Sequence, residues 1–265
     1  MSNTEQYATT NNLNVRMALH QRFSTNPQGW APWLWEQIDL QAGQRVLEVG
    51  CGTGSLWVAR AAPLPGGIAI VLSDTSEGML RAARATLGAH PALTIMAADA
   101  QCLSFDDASF DVVIANHMLY HVTDQSRTLS EIARVLKPSG VLYASTAGRS
   151  NLSELGTLLR AFDARIDYDA TGVTGVFNLE NGAEQLRKHF GRVALRRYPD
   201  SLHISEAQPL ADYVLSLRGT GSGVDLLAPE RAAALRAFLS EIIDRQGAIT
   251  LRKDTGLFIA ADPRG

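Results

Sequence analysis

The chain has 265 residues, 46% of them hydrophobic and 19% charged, with a formal net charge of −3. That balance fits a globular protein with a full core, and the slight acidity argues against a dedicated nucleic-acid binder. No apolar run approaches the roughly 20 residues of a membrane span, residues 1–6 lack the basic region of a secretory leader, and the two cysteines, Cys51 and Cys102, suggest a cytoplasmic protein without a structural disulfide.

Residues 1–44 read as a separate leading segment. It is polar at first, helical in pattern over 13–23, and then aromatic, with Trp30, Trp33 and Trp35 close together. Tyr7, Arg16, His20, Phe23 and Trp30 have the chemistry of a lid that closes over a ligand and excludes water; the tryptophans would serve equally well as core along a sheet edge. From 45 to 146, short apolar strands (45–49, 68–73, 93–97, 111–116, 140–146) alternate with amphipathic helices (55–62, 76–88, 125–136). This alternation predicts an α/β fold with a mostly parallel sheet covered on both faces. Gly66-Gly67 and Pro91 mark turns, and Lys137-Pro138-Ser139-Gly140 ends the third helix because proline cannot continue it. After 146 the strict alternation fails. Helices are expected at 152–166, 179–190, 207–217 and 229–247, a loop at 168–175, and strands at 193–198 and 249–260. The two late strands complete a doubly wound, seven-stranded sheet. Residues 45–265 then form one domain, with insertions near 150–178 and 203–230 able to shape a substrate pocket.

The most informative stretch runs from Arg45 to Ser55. An apolar strand containing Glu48 is followed by Gly50, Gly52 and Gly54, and then by a helical pattern. Glycines at these positions allow a sharp turn and admit a ligand against the backbone. A dinucleotide loop, Gly-x-Gly-x-x-Gly, would need a third glycine at 55, where the chain has Ser55. A carboxylate at the end of the second strand, Asp74, lies at the edge of the pocket and is placed to accept hydrogen bonds from both hydroxyls of a ribose; the same residue type also serves as the N-terminal acid of a helix. Cys51 reads most simply as a small residue that fits the loop.

Glu48-x-Gly50-x-Gly52-x-Gly54 resembles motif I of the class I S-adenosylmethionine-dependent methyltransferases, and residues 45–146 carry the resemblance. It implies a Rossmann-like fold and a cofactor pocket built from Glu48, Gly50, Cys51 and Gly52. Asp74, Thr75 and Met79 would follow on the second strand and its turn, and Asp99 and Ala100 would border the adenine. Asn116 would lie near the methionine portion and the sulfonium. His117, Tyr120 and His121, just past the fourth strand, would face the acceptor, with histidine suited to proton removal near neutral pH; packing is the competing role for each. The 134–140 run resembles the architectural stretch before strand five. The implied activity is methyl transfer from S-adenosyl-L-methionine to a small organic acceptor, leaving S-adenosyl-L-homocysteine. The fold would also suit an intramolecular alkylation, a cyclisation or a rearrangement, or a non-catalytic cofactor-binding protein. No metal is expected, since no convergent carboxylate cluster is legible.

Overall fold

The computed structural model describes residues 11–60, 63–169, 174–220 and 223–264. The chain divides into two compact units. One comprises Trp30–Ala147, Val176–Tyr198 and Thr255–Gly265; the other comprises Met1–Gly29, Gly148–Gly175 and Pro199–Asp254. The segment 1–44, expected as one lid, is therefore shared between the two.

The first unit is built on the sheet. Its strands are β1 (Arg45–Val49), β2 (Ala69–Asp74), β3 (Leu93–Ala97), β4 (Phe110–Asn116) and β5 (Leu136–Ala147), together with parts of β6 (Phe190–Ile204) and β7 (Ile249–Pro263). The order across the sheet is β3-β2-β1-β4-β5-β7-β6. β1 pairs parallel with β2 on one side and with β4 on the other, placing Leu47 beside Val71 and Val113. β7 runs antiparallel to β5, from Val141↔Ala261 to Ala147↔Thr255. The central strands read as near-continuous apolar runs because both of their faces are covered. Leu129 and Ile132 of a helix at Gln125–Val135 pack with Phe110, Leu142 and Phe258 in one cluster. Leu34, Ile38, Leu56, Trp57 and Leu80 pack with Val46, Ile70 and Ile114 in another.

The helices, numbered in chain order, are α1 (Asn11–Phe23), α2 (Trp30–Gln37), α3 (Ser55–Val58), α4 (Glu77–Leu87), α5 (Gln125–Val135), α6 (Ser153–Phe162), α7 (Gly182–Arg187), α8 (Ala207–Ser216) and α9 (Ala232–Gln246). α4 starts where Ser76 Oγ accepts from Met79 N, and α5 where Asp124 Oδ1 accepts from Arg127 N at 2.9 Å. The second unit packs α1, α6, α8 and α9 around Leu19, Phe23, Leu155, Leu159, Leu210, Val214, Leu235 and Leu239.

Several boundaries differ from expectation for local reasons. The aromatic stretch after Gly29 is a helix, α2, which tolerates Pro32 in its first turn. β5 begins at Leu136 rather than at 140; the register shift between Phe110↔Leu136 and Val112↔Val141 accommodates Pro138. α7 starts late because Asn178 and Asn181 cap the preceding turn: Asn178 Oδ1 accepts from Glu180 N and Asn181 N, and Asn181 Oδ1 accepts from Asn178 N. The loop expected at 168–175 lies partly outside the described residues, as does the end of the helix expected at 55–62. Among the described residues no helix is long and apolar enough to cross a membrane, and no group of His, Cys, Asp or Glu is arranged to hold a metal ion.

Candidate active site

The loop after β1 is shaped by its glycines. Gly50, Gly52 and Gly54 have φ of 65°, 54° and 74°, a region that glycine occupies without strain. Two of them also lack room for a side chain. A Cβ on Gly50 would come within 2.7 Å of Met118 Cβ, and one on Gly54 within 2.7 Å of Leu87 Cδ1. The loop is thus pressed between the exit of β4 and the end of α4. Cys51 N donates to Ser73 O at 2.9 Å, tying the loop to β2.

Glu48 braces this loop from beneath. It is 1% exposed, and its Oε2 accepts the Trp57 indole N–H at 2.6 Å. Burial pushes its carboxyl up to about 8, against the opposing pull of the Trp57 hydrogen bond. At neutral pH the group is therefore mainly uncharged. Trp35 packs edge-on against Trp57 and donates to Leu56 O at 2.8 Å. Cys51 is buried as well; burial, with the carboxyls of Glu48 and Asp74 nearby, pushes its thiol well above the ordinary range. It is a poor thiolate and acts as a small filler.

Asp74 closes the other side of the loop. Its Oδ2 accepts from Gly52 N at 2.9 Å and its Oδ1 from Ser76 N at 2.8 Å. Each oxygen keeps a further acceptor site. Thr75 beside it is exposed, while Met79 and Ala100 are buried. β3 ends one strand away, with Ala97 paired to Asp74. Asp99 follows on the surface, and its Oδ1 takes Gln101 N at 2.8 Å. Gln101 Oε1 in turn accepts from Thr123 Oγ1 and Asp124 N, which fastens this loop to the start of α5.

The end of β4 carries a polar and aromatic cluster. Asn116 Oδ1 accepts from Ser145 Oγ at 2.7 Å and from Trp30 Nε1 at 3.4 Å. His117 adopts a φ of 53°, and its N–H donates to Ser145 Oγ at 2.9 Å. Ring centroids lie 5.1 Å apart for Trp30 and His117, 6.3 Å for His117 and Tyr120, and 4.4 Å for Tyr120 and His121. Trp33 and Tyr198 each pack on Trp30 from further sides. Of the ten residues expected around the cofactor, nine (Glu48, Gly50, Cys51, Gly52, Asp74, Thr75, Asp99, Ala100 and Asn116) fall on or just after the C-terminal ends of β1 to β4, and Met79 lies in the first turn of α4. His117, Tyr120, His121 and Trp30 join them in the same unit.

The remaining lid residues fall in the other unit or outside the described residues. Tyr7 lies outside the described residues. Arg16, His20 and Phe23 belong to α1 of the second unit: Phe23 is buried in its core, His20 meets the edge of Tyr213, and Arg16 Nε donates to Asn12 O. Ser145, Trp57 and Tyr198 were not singled out by sequence reasoning. A hydroxyl pair, Ser145-Thr146, inside the apolar fifth strand was the available signal for the first of these.

This donor and acceptor set fits an adenosyl ligand. Asp74 retains acceptor capacity for a vicinal diol, and Asp99 is an exposed acceptor for an amine. A family model described as a methyltransferase domain matches residues 47–144. The match spans the glycine loop and the ends of β1 to β4. Outside it the likeness thins. The demethylmenaquinone methyltransferase of Clavibacter sepedonicus is 38% identical over 115 residues, covering 43% of this chain and 46% of that protein. The malonyl-[acyl-carrier protein] O-methyltransferase of Methylococcus capsulatus is 34% identical over 126 residues, covering 48% and 46%. The chain thus spans about half the length of the curated relatives it matches. A solved structure, a putative methyltransferase from Bacillus halodurans, superposes with a TM-score of 0.57 at 18% identity, covering 88% of this chain and 99% of the other. At that identity the likeness is one of fold, and it extends beyond the methyltransferase domain.

Proposed function

We propose that the protein binds S-adenosylmethionine along the C-terminal ends of β1 to β4 and transfers its methyl group to a small organic acceptor. One observation carries the reading: two carboxylates, Asp74 at the end of β2 and Asp99 two residues past the end of the neighbouring β3, stand beside a loop of three positive-φ glycines, where the strand order reverses between β1 and β4. Ligands bind at such switch points in open α/β sheets. The two relatives' names support the reaction type and differ in the acceptor.

When bound, the cofactor supplies an activated methyl group on a sulfonium. The chain's own work is holding and orienting. Asp74 accepts from the ribose hydroxyls, Asp99 accepts from the adenine amine, and the Gly50–Gly54 loop lets the backbone approach. Trp30, His117 and Tyr120 exclude water from the end of β4. Fixing a nucleophile in line contributes up to roughly 7–11 kcal/mol of barrier lowering, so no strict catalytic residue is required. Where the nucleophile is a hydroxyl, His121 or His117 takes its proton. Incubating the protein with S-adenosylmethionine carrying a deuterated methyl and a panel of small acceptors, with mass detection, tests this. A labelled methyl on a product supports transfer. S-adenosylmethionine that binds while the products gain no methyl points to a rearrangement or cyclisation instead.

A further inference from the structure

We propose that the second, helical unit carries a ligand site of its own, built by Tyr213, Tyr168 and Arg16, and that the site takes the carboxylate of a small organic anion. The inference concerns this unit alone and does not rest on the cofactor reading above.

Tyr213 differs from the other buried polar groups of this unit. It lies on α8, is 6% exposed, and its ring sits in the apolar cluster with Leu19, Leu155, Leu210 and Val214. Its backbone carbonyl accepts from Ser216 Oγ, but its hydroxyl makes no hydrogen bond to any described residue. A buried tyrosine hydroxyl ordinarily has a partner, and one that has none within the fold is satisfied by water or by a ligand. Tyr168 packs against the same cluster. Its ring lies on α6 where Gly156 makes room: a Cβ there would come 3.3 Å from Tyr168 Cδ1. The Tyr168 hydroxyl also makes no hydrogen bond to any described residue.

The groups around these phenols define the ligand. His20 meets the Tyr213 ring edge-on, with centroids 5.8 Å apart. Arg16 lies one turn earlier on α1, where its Nε donates to Asn12 O at 3.2 Å. Burial pushes the Tyr213 hydroxyl up to about 12, and the nearby Arg16 guanidinium works the other way. Burial raises the Tyr168 hydroxyl as well, and Tyr213 and Asp169 beside it add to the rise. Both phenols are therefore protonated at neutral pH and hold a hydrogen to donate, while a guanidinium only donates. Donors of this kind are matched by the lone pairs of an anionic oxygen. A carboxylate suits the set best: it meets a guanidinium side-on and keeps lone pairs for two hydroxyls. Its single negative charge balances Arg16, whereas the second charge of a phosphate would fall near Asp169. The apolar walls strengthen each of these contacts by screening them little.

Two variants and three probes test this. The full chain is titrated calorimetrically with benzoate, with benzamide, which keeps the shape and lacks the charge, and with phenyl phosphate. Tyr213→Phe and Arg16→Gln are titrated in the same way after a thermal melt establishes folding. Benzoate should bind the wild type, and both benzamide and phenyl phosphate should bind more weakly, benzamide by at least about tenfold, the scale of a hydrogen bond to a charged group. Tyr213→Phe should weaken benzoate by a similar factor yet melt no lower than wild type, because the hydroxyl it removes has no partner in the fold. Arg16→Gln should weaken benzoate and leave benzamide within about threefold; should it not fold, Tyr213→Phe decides. A wild type that does not bind benzoate, benzoate affinity indifferent to Tyr213→Phe, or a lowered melting temperature in Tyr213→Phe overturns the proposal. Phenyl phosphate binding more tightly than benzoate overturns the assignment of a carboxylate.

Discussion

Glu48→Gln isolates the group beneath the glycine loop. The wild-type carboxyl ordinarily titrates at 4.5 and is pushed up to about 8 by burial. The raised value fixes the sign. Between these two pH values the unfolded chain is ionised at this residue and the folded chain is protonated. The folded state then binds the extra proton, and stability falls as pH rises through that window. Below pH 4.5 the cost vanishes, and above about 8 it is complete. Each pH unit within the window is worth about 1.4 kcal/mol. Glutamine keeps an oxygen for the Trp57 indole and has no charge to lose. The variant should therefore be more stable than wild type by about 1 kcal/mol at pH 5.5 and by about 3 kcal/mol at pH 7. Urea unfolding of both proteins at several pH values measures the difference, and other titrating groups cancel in the comparison. A difference that stays constant from pH 5.5 to 7.5 would show that Glu48 is ionised in the folded protein and refute the reasoning.

Gly50→Ala forces a positive φ on a residue with a Cβ 2.7 Å from Met118, and chemical denaturation should register a loss of roughly 1–3 kcal/mol. His121→Ala should lower kcat or raise the acceptor KM while S-adenosylhomocysteine affinity, read by calorimetry, stays within about twofold; joint loss of melting temperature and cofactor affinity would assign His121 a structural role. Lys253 Nζ pairs with the buried Asp200 at 2.6 Å, and Asp200 also accepts from Ser24 Oγ and Asn26 N. Lys253→Met leaves that carboxylate uncompensated and should cost about 3–5 kcal/mol in unfolding, whereas a loss below about 1 kcal/mol would show that the Ser24–Asn26 turn carries the charge alone.

Much of the sheet was legible because its strands are short apolar runs between strong turn signals. β1 and β3 fall at the expected residues, and α4 and α5 begin within a residue of expectation at hydroxyl and carboxylate caps. α2 was hidden by Pro32 and by a run of tryptophans that gives no polar face to read. β6 was expected over 193–198; at the edge of the sheet Pro199 is tolerated, and the strand runs from Phe190 to Ile204. The glycine loop and the carboxylate positions were legible because their chemistry is local to strand ends. The Trp30, Asn116, Ser145 and Tyr198 arrangement was not. Its members are distant in sequence and meet only through the sheet order, and a serine in an apolar strand resembles filler. Aromatic and basic content grouped Arg16, His20 and Phe23 with Trp30, yet α1 uses Phe23 as core in the other unit.

The central claim is an adenosyl site held by Asp74 at the ends of β1 to β4. Calorimetric titration of S-adenosylhomocysteine into the wild-type protein and Asp74→Ala, with NAD titrated alongside, tests it most directly. The account predicts one S-adenosylhomocysteine site per chain, weakened at least about tenfold in Asp74→Ala through loss of charge-assisted hydrogen bonds, and no NAD binding. Binding of NAD in place of S-adenosylhomocysteine, or S-adenosylhomocysteine affinity indifferent to Asp74, would contradict it.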